Sequence, residues 1–100
     1  MIVPHAHVSE LNSCDAATLA EMMKLAQGTE MALRTIYKPD GMNLGMNLGR
    51  AAGAGVLGHL HLHVLPRWIG DSNFMTVTGE TRVHPEELKT TYERLHKVLA

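Results

Sequence analysis

Between residues 58 and 65 the chain alternates without a break, with His59, His61 and His63 interleaved with Leu60, Leu62 and Val64. A period of two places successive side chains on opposite faces of an extended strand, and no helix accommodates it. One face of this strand is therefore aliphatic and must be covered by another layer. The other face carries three imidazoles, neighbours standing roughly 6–7 Å apart along the strand. Each ring brings two polar nitrogens that need partners and titrates near neutrality. A single histidine on a strand is ordinarily just solvated. Three in alternation opposite an aliphatic face point to a site.

The elements around this strand follow from local patterns. Residues 1–4 read as a strand end, and residues 5–14 as a polar connection carrying His5 and His7. Residues 15–37 form the clearest helix, with Leu19, Met22, Met23, Ala26, Leu33, Ile36 and Tyr37 near the 3.6 period. Ser13 or Asp15 can cap its start, and Pro39-Asp40-Gly41 ends it. The methionines of this helix, Met22, Met23 and Met31, are expected in the core. Residues 42–48 alternate as a strand, and residues 49–58 are a Gly/Ala-rich loop. Pro66-Arg67-Trp68 is expected to end the histidine strand. A short strand is expected near Met75–Val77. A last helix opens at His84-Pro85, with Pro85 suited to its first turn and Leu88, Tyr92, Leu95 and Leu99 as its apolar positions.

The chain has 100 residues, which favours one domain with a modest core. Hydrophobic residues at 45% and charged residues at 19% fit a globular chain. A formal charge of -1, with Lys and Arg scattered, gives no case for a nucleic-acid or membrane-surface partner. Cys14 is the only cysteine, so no internal disulfide forms and a cytoplasmic setting is expected. The start shows no secretory leader, and no stretch approaches the ~18 apolar residues of a membrane span.

Two chemistries suit the histidine face. In the first, His-x-His supplies two ligands to zinc, with a third from His7 or Asp71. His59 and His63 are themselves roughly 13 Å apart by the rise of a strand, too far to share one ion. In the second, the middle histidine attacks phosphorus. Its far nitrogen is held by a backbone carbonyl, so the attacking nitrogen is unprotonated. The outer histidines then bind phosphate oxygens or supply protons.

The run His59-Leu60-His61-Leu62-His63-Val64-Leu65 resembles the histidine-triad (HIT) family pattern, and the likeness continues through Pro66-Arg67-Trp68. Upstream, Val3-Pro4-His5-Ala6-His7 looks like the family's strand end, with His7 at its fourth histidine. Asn47 falls where the family has an asparagine on the phosphate side of the site. Ala52-Gly53-Ala54-Gly55 and Gly70-Asp71-Ser72-Asn73-Phe74-Met75 are most similar to the diadenosine-tetraphosphate phosphorylase or hydrolase branch.

The resemblance implies an α+β fold, an antiparallel HIT-like sheet with a long helix packed on it and a C-terminal helix. Residues 1–100 are then one HIT domain whose first strands and helix are missing. It further implies a nucleotide hydrolase or nucleotidyltransferase acting on the α-phosphate of dinucleoside polyphosphates through a nucleotidyl-histidine intermediate, without a metal or other cofactor. His61 would be the nucleophile. His59 and His63 would stabilise phosphoryl oxygens and assist the leaving group, and His7 would hold one of them in the correct tautomer. Asn47, Arg50, Gly55 and Val56 would face the substrate. Gly55 and Val56 stand where many family hydrolases carry Gln and Ser or Thr, so backbone N–H groups would take over those contacts. A homodimer is expected. The alternatives are a catalytically impaired nucleotide-binding or interaction module and the zinc site.

Other signals carry less. Gly53-Ala54-Gly55-Val56-Leu57-Gly58 spells G-x-G-x-x-G, but a strand follows it where a dinucleotide site needs a helix. Asp71, Ser72 and Asn73 suit a turn as well as a substrate contact. Trp68 and Phe74 are expected in the core or an interface.

Overall fold

The computed structural model describes residues 1–54, 58–71 and 86–99. The Met75–Val77 strand, Phe74, Pro85, Gly55 and Val56 lie outside the described residues.

The longest element is α1, Ala16–Tyr37. Asp15 begins it with extended backbone, and its carboxylate accepts from the Thr18 backbone N–H at 2.7 Å. That bond satisfies one of the unpaired N–H groups of the first turn. It also holds the Asp15 carboxyl below the usual range. Lys38, in left-handed conformation with φ 47°, closes the helix by donating its N–H to the Arg34 carbonyl at 3.1 Å. Met22, Ala26 and Leu33 form the buried stripe, one helical face. Met23 and Met31 do not join it. Both are exposed, Met31 at 71%, because Met31 lies on the opposite face and Met23 to the side of the stripe.

Two strands form an antiparallel pair, β1 (Gly41–Gly45) and β2 (His63–Arg67), in the register Gly41↔Arg67, Asn43↔Leu65 and Gly45↔His63. The histidine strand is longer at its far end than its sequence suggests, since pairing continues through Pro66 to Arg67. Proline lacks an N–H but is tolerated where its nitrogen faces away from the partner. Arg67 then fastens the end. Its Nη1 donates to Asn43 at 2.7 Å, and its Nε and Nη2 donate to Asp71 at 2.6 and 2.8 Å.

The first half of the alternating run pairs elsewhere. Ile2 and Leu62 exchange two backbone bonds of 2.8 and 2.9 Å, and the Leu60 N–H donates to the Val8 carbonyl at 2.7 Å. Residues 59–62 are thus strapped to the N-terminal segment, and residues 63–67 to β1. Throughout, Leu60, Leu62 and Val64 are buried. Leu62 and Val64 pack against Met22, Ala26 and Leu33 of α1, with Ile2, Tyr37, Met42, Met46 and Leu95 at the edges.

The second helix, α2, spans Leu88–Leu99. Of its four expected apolar positions only Leu95 reaches the core, while Leu88, Tyr92 and Leu99 are 82%, 65% and 52% exposed. A polar node takes up the work of attachment. The Tyr37 hydroxyl donates to Glu86 in a short bond. Thr91 and Arg94 also donate to the Glu86 carboxylate, each at 2.6 Å, and Arg94 lies over the Tyr37 ring. Among the described residues no helix is long and apolar enough to cross a membrane.

Candidate active site

His59, His61 and His63 are all half-buried in the run that leads into β2, with His63 opening that strand, while the buried Leu62 and Val64 hold this run to α1. The rings do not form an even row. They divide into two pairs. His61 and His63 meet edge to face with centroids 4.8 Å apart. His59 instead stacks on His7, with centroids 5.0 Å apart and planes 23° from parallel.

Hydrogen bonds fix which nitrogen is which. His61 Nδ1 lies 3.0 Å from the carbonyl oxygen of His59. A carbonyl only accepts, so the proton sits on Nδ1 and the lone pair of a neutral His61 is left on Nε2. His59 Nε2 lies 2.8 Å from the Pro4 carbonyl oxygen and donates to it by the same logic. His59 therefore has its Nε2 proton committed to the backbone, and the group that selects its tautomer is Pro4, with His7 against its ring face.

A cleft of about 250 Å³ opens beside His59, walled in part by Asn47, Gly49, Ala54 and Ser9. Asn47 is exposed at the end of the segment that leaves β1. Arg50 opens a 3-10 turn, Arg50–Ala52, and is also exposed. Gly53 closes that turn with φ 84°, a conformation that favours glycine. A Cβ on Gly53 would stand 3.9 Å from Asn47 Nδ2. The glycine loop thus turns back toward Asn47, and its described part holds only that 3-10 turn and no α-helix.

Asp71 is engaged by the guanidinium of Arg67 and by the Trp68 N–H at 3.1 Å, which makes it a turn-closing residue in this structure. Trp68 is half-buried and meets Tyr37 edge-on. Among the described residues no group of three His, Cys, Asp or Glu side chains is placed to hold a metal ion. The Pro4 carbonyl and Ser9 carry no sequence signal that would have drawn attention to them. The spacing of the histidines does not tell which carbonyl each ring meets.

An α+β frame with a half-buried histidine row leading into β2, one of its rings held by the preceding histidine's carbonyl, defines a histidine-triad domain. The model of the HIT domain matches residues 1–68, and the chain belongs to that family. It is similar to the AP-4-A phosphorylase of Mycobacterium tuberculosis, 42% identical over 91 residues, which is 91% of this chain and 47% of that protein. An uncharacterized HIT-like protein of Mycoplasma genitalium is 32% identical over 68% of this chain and 48% of its own length. The chain thus spans about half the length of these curated relatives. Among solved structures, a zinc-bound histidine triad family protein from Mycobacterium smegmatis superposes with a TM-score of 0.73 at 30% identity, covering 97% of this chain and 65% of that one. A hypothetical histidine triad nucleotide-binding protein from Sulfolobus tokodaii gives 0.68 at 33% identity, covering 97% and 63%.

Proposed function

We propose that this chain carries the nucleotidyl-transfer centre of an enzyme that cleaves dinucleoside polyphosphates such as diadenosine tetraphosphate. The observation that supports this most directly is the bond from His61 Nδ1 to the His59 carbonyl, which leaves Nε2 as a nucleophile. The similarity to an AP-4-A phosphorylase supports the substrate class.

In the first step the Nε2 lone pair attacks the α-phosphorus. A P–N bond forms, the P–O bond to the bridging oxygen breaks, and ATP leaves. His63, whose ring meets that of His61 at 4.8 Å, is the neighbouring imidazole able to deliver a proton to the departing oxygen. In the second step inorganic phosphate or water attacks the same phosphorus and the P–N bond breaks, returning His61 and giving ADP or AMP. Asn47, Arg50 and the backbone N–H groups of the glycine loop, Gly55 and Val56 included, hold the phosphate chain.

The test is incubation with diadenosine tetraphosphate, with and without phosphate. ADP and ATP formed only with phosphate make it a phosphorylase; AMP and ATP formed without phosphate make it a hydrolase. Full turnover by His61→Ala overturns the reading. Binding of AMP with no product in either condition assigns a nucleotide-binding module instead.

A further inference from the structure

The contacts of α2 divide sharply between those inside the helix and those that reach the rest of the fold. We infer that α2, with Glu86 at its head, is a detachable arm. It leaves α1 as one unit when the Tyr37–Glu86 latch breaks, while the core and the histidine row stay folded.

Most of the arm's ties travel with it. Lys89 pairs with Glu93 at 3.9 Å, and the Tyr92 ring stacks on His96 with centroids 5.5 Å apart. Thr91 and Arg94 both bond Glu86, again within the arm. Among the described residues, the polar attachment to the rest of the fold runs through one side chain, Tyr37, whose hydroxyl meets Glu86 and whose ring lies under Arg94. Tyr37 itself belongs to the core side. It packs against the buried cluster and meets Trp68 edge-on at 6.5 Å. The apolar attachment is as thin. Leu95 alone of the arm reaches the core, and the buried cluster of Met22, Ala26, Leu33, Leu62 and Val64 contains no residue of α2. Toward its C-terminal end the helix stands off α1 across a groove of about 290 Å³, lined by Gly28, Met31, Ala32, Thr35, Val98 and Leu99. A Cβ on Gly28 would meet nothing within 4 Å, so this interface is loosely filled. Elements with few buried contacts open as units below the free energy of global unfolding. With 12 residues, α2 is marginal as an isolated helix and should melt as it leaves.

Amide hydrogen exchange of the whole chain, read by NMR where rates report the opening equilibrium, is the test. In wild type the amides of α2 should exchange roughly tenfold or more faster than the buried-face amides of α1, after correction for intrinsic rates. Leu62→Ala weakens the core and leaves the latch alone. It should speed the α1 amides roughly tenfold or more and keep the α2 rates within about twofold of wild type. Tyr37→Phe keeps the ring against Trp68 and removes the hydroxyl from Glu86. It destabilises the docked state against every opened one, so α2 and α1 amides should both speed up, by about tenfold or more. Amides of α2 that exchange at the α1 rate in wild type, or that accelerate with α1 in Leu62→Ala, mean one cooperative unit and overturn the inference. Rates of α2 unchanged in Tyr37→Phe overturn the latch. Should Tyr37→Phe not fold, Glu86→Gln takes its place with the same expectation; should Leu62→Ala not fold, the wild-type ordering of rates decides.

Discussion

His61 Nδ1 and the carbonyl oxygen of His59 stand 3.0 Å apart, so the backbone of one triad residue sets the proton of the next. Here the ring folds back onto its own chain, and the free nitrogen points away from the carbonyl.

His63 is the edge-to-face neighbour of His61 and is assigned to protonate the leaving oxygen. His63→Ala should slow cleavage of diadenosine tetraphosphate by about 10²–10⁴-fold. The defect should shrink sharply with an AMP ester of p-nitrophenol, whose leaving group needs no proton. Equal defects on the two substrates would remove His63 from that role.

The aliphatic face supports the histidine face, and the two should fail together. Leu62 is 5% exposed and packs with Met22, Ala26 and Leu33. Leu62→Ala should lower unfolding free energy in urea by about 2–5 kcal/mol. Met31, 71% exposed on the same helix as Met22, is the contrast. Met31→Gln should change stability by no more than about 0.5 kcal/mol. A large effect at Met31 would mean that its face is covered in solution.

Glu86 gives the C-terminal helix a dependence on pH. The Thr91 hydroxyl first, then the Tyr37 hydroxyl and Arg94, hold its carboxyl below the usual range. A carboxyl depressed in the folded state stabilises the fold above its unfolded pKa. That contribution fades as pH falls from the unfolded value through the folded one. Thermal melts of Glu86→Gln should lie below wild type at neutral pH and converge on it in acid. Asp15, depressed by the Thr18 N–H, declines in the same window, so wild type should lose stability in acid even after Glu86 is replaced. Melts that stay a constant distance apart at every pH would contradict the assignment.

Much of this architecture was legible in the sequence because it rests on periodicity. Helix α1 over Ala16–Tyr37 and the buried Leu60, Leu62 and Val64 follow from apolar spacing alone. Spacing also over-read the molecule in places. Met23 matches the hydrophobic period and Met31 was expected inside with the other methionines of the helix, yet both face solvent, and three of four apolar residues on α2 do the same. What attaches α2 is a carboxylate, Glu86, joined to a tyrosine 49 positions earlier, a long-range polar contact that no local pattern announces. At the site the row of histidines was plain and its division into two pairs was not. Whether His59 turns to His63 or to His7 depends on where residues 2–8 lie across the strand, and that is settled by backbone bonds rather than by residue type. The strand end was misplaced for a related reason: Pro66 reads as a terminator, but its missing N–H matters only on a side that needs one.

The central claim is that the Nε2 atom of His61 becomes bonded to phosphorus. The most direct measurement is rapid acid-free quenching of the protein with diadenosine tetraphosphate in the absence of phosphate, followed by peptide mass spectrometry. An adenylyl group on His61, absent in His61→Ala and discharged as ADP when phosphate is added, is the result expected. Product formation with no adduct at any time, or an adduct on a different residue, would contradict it.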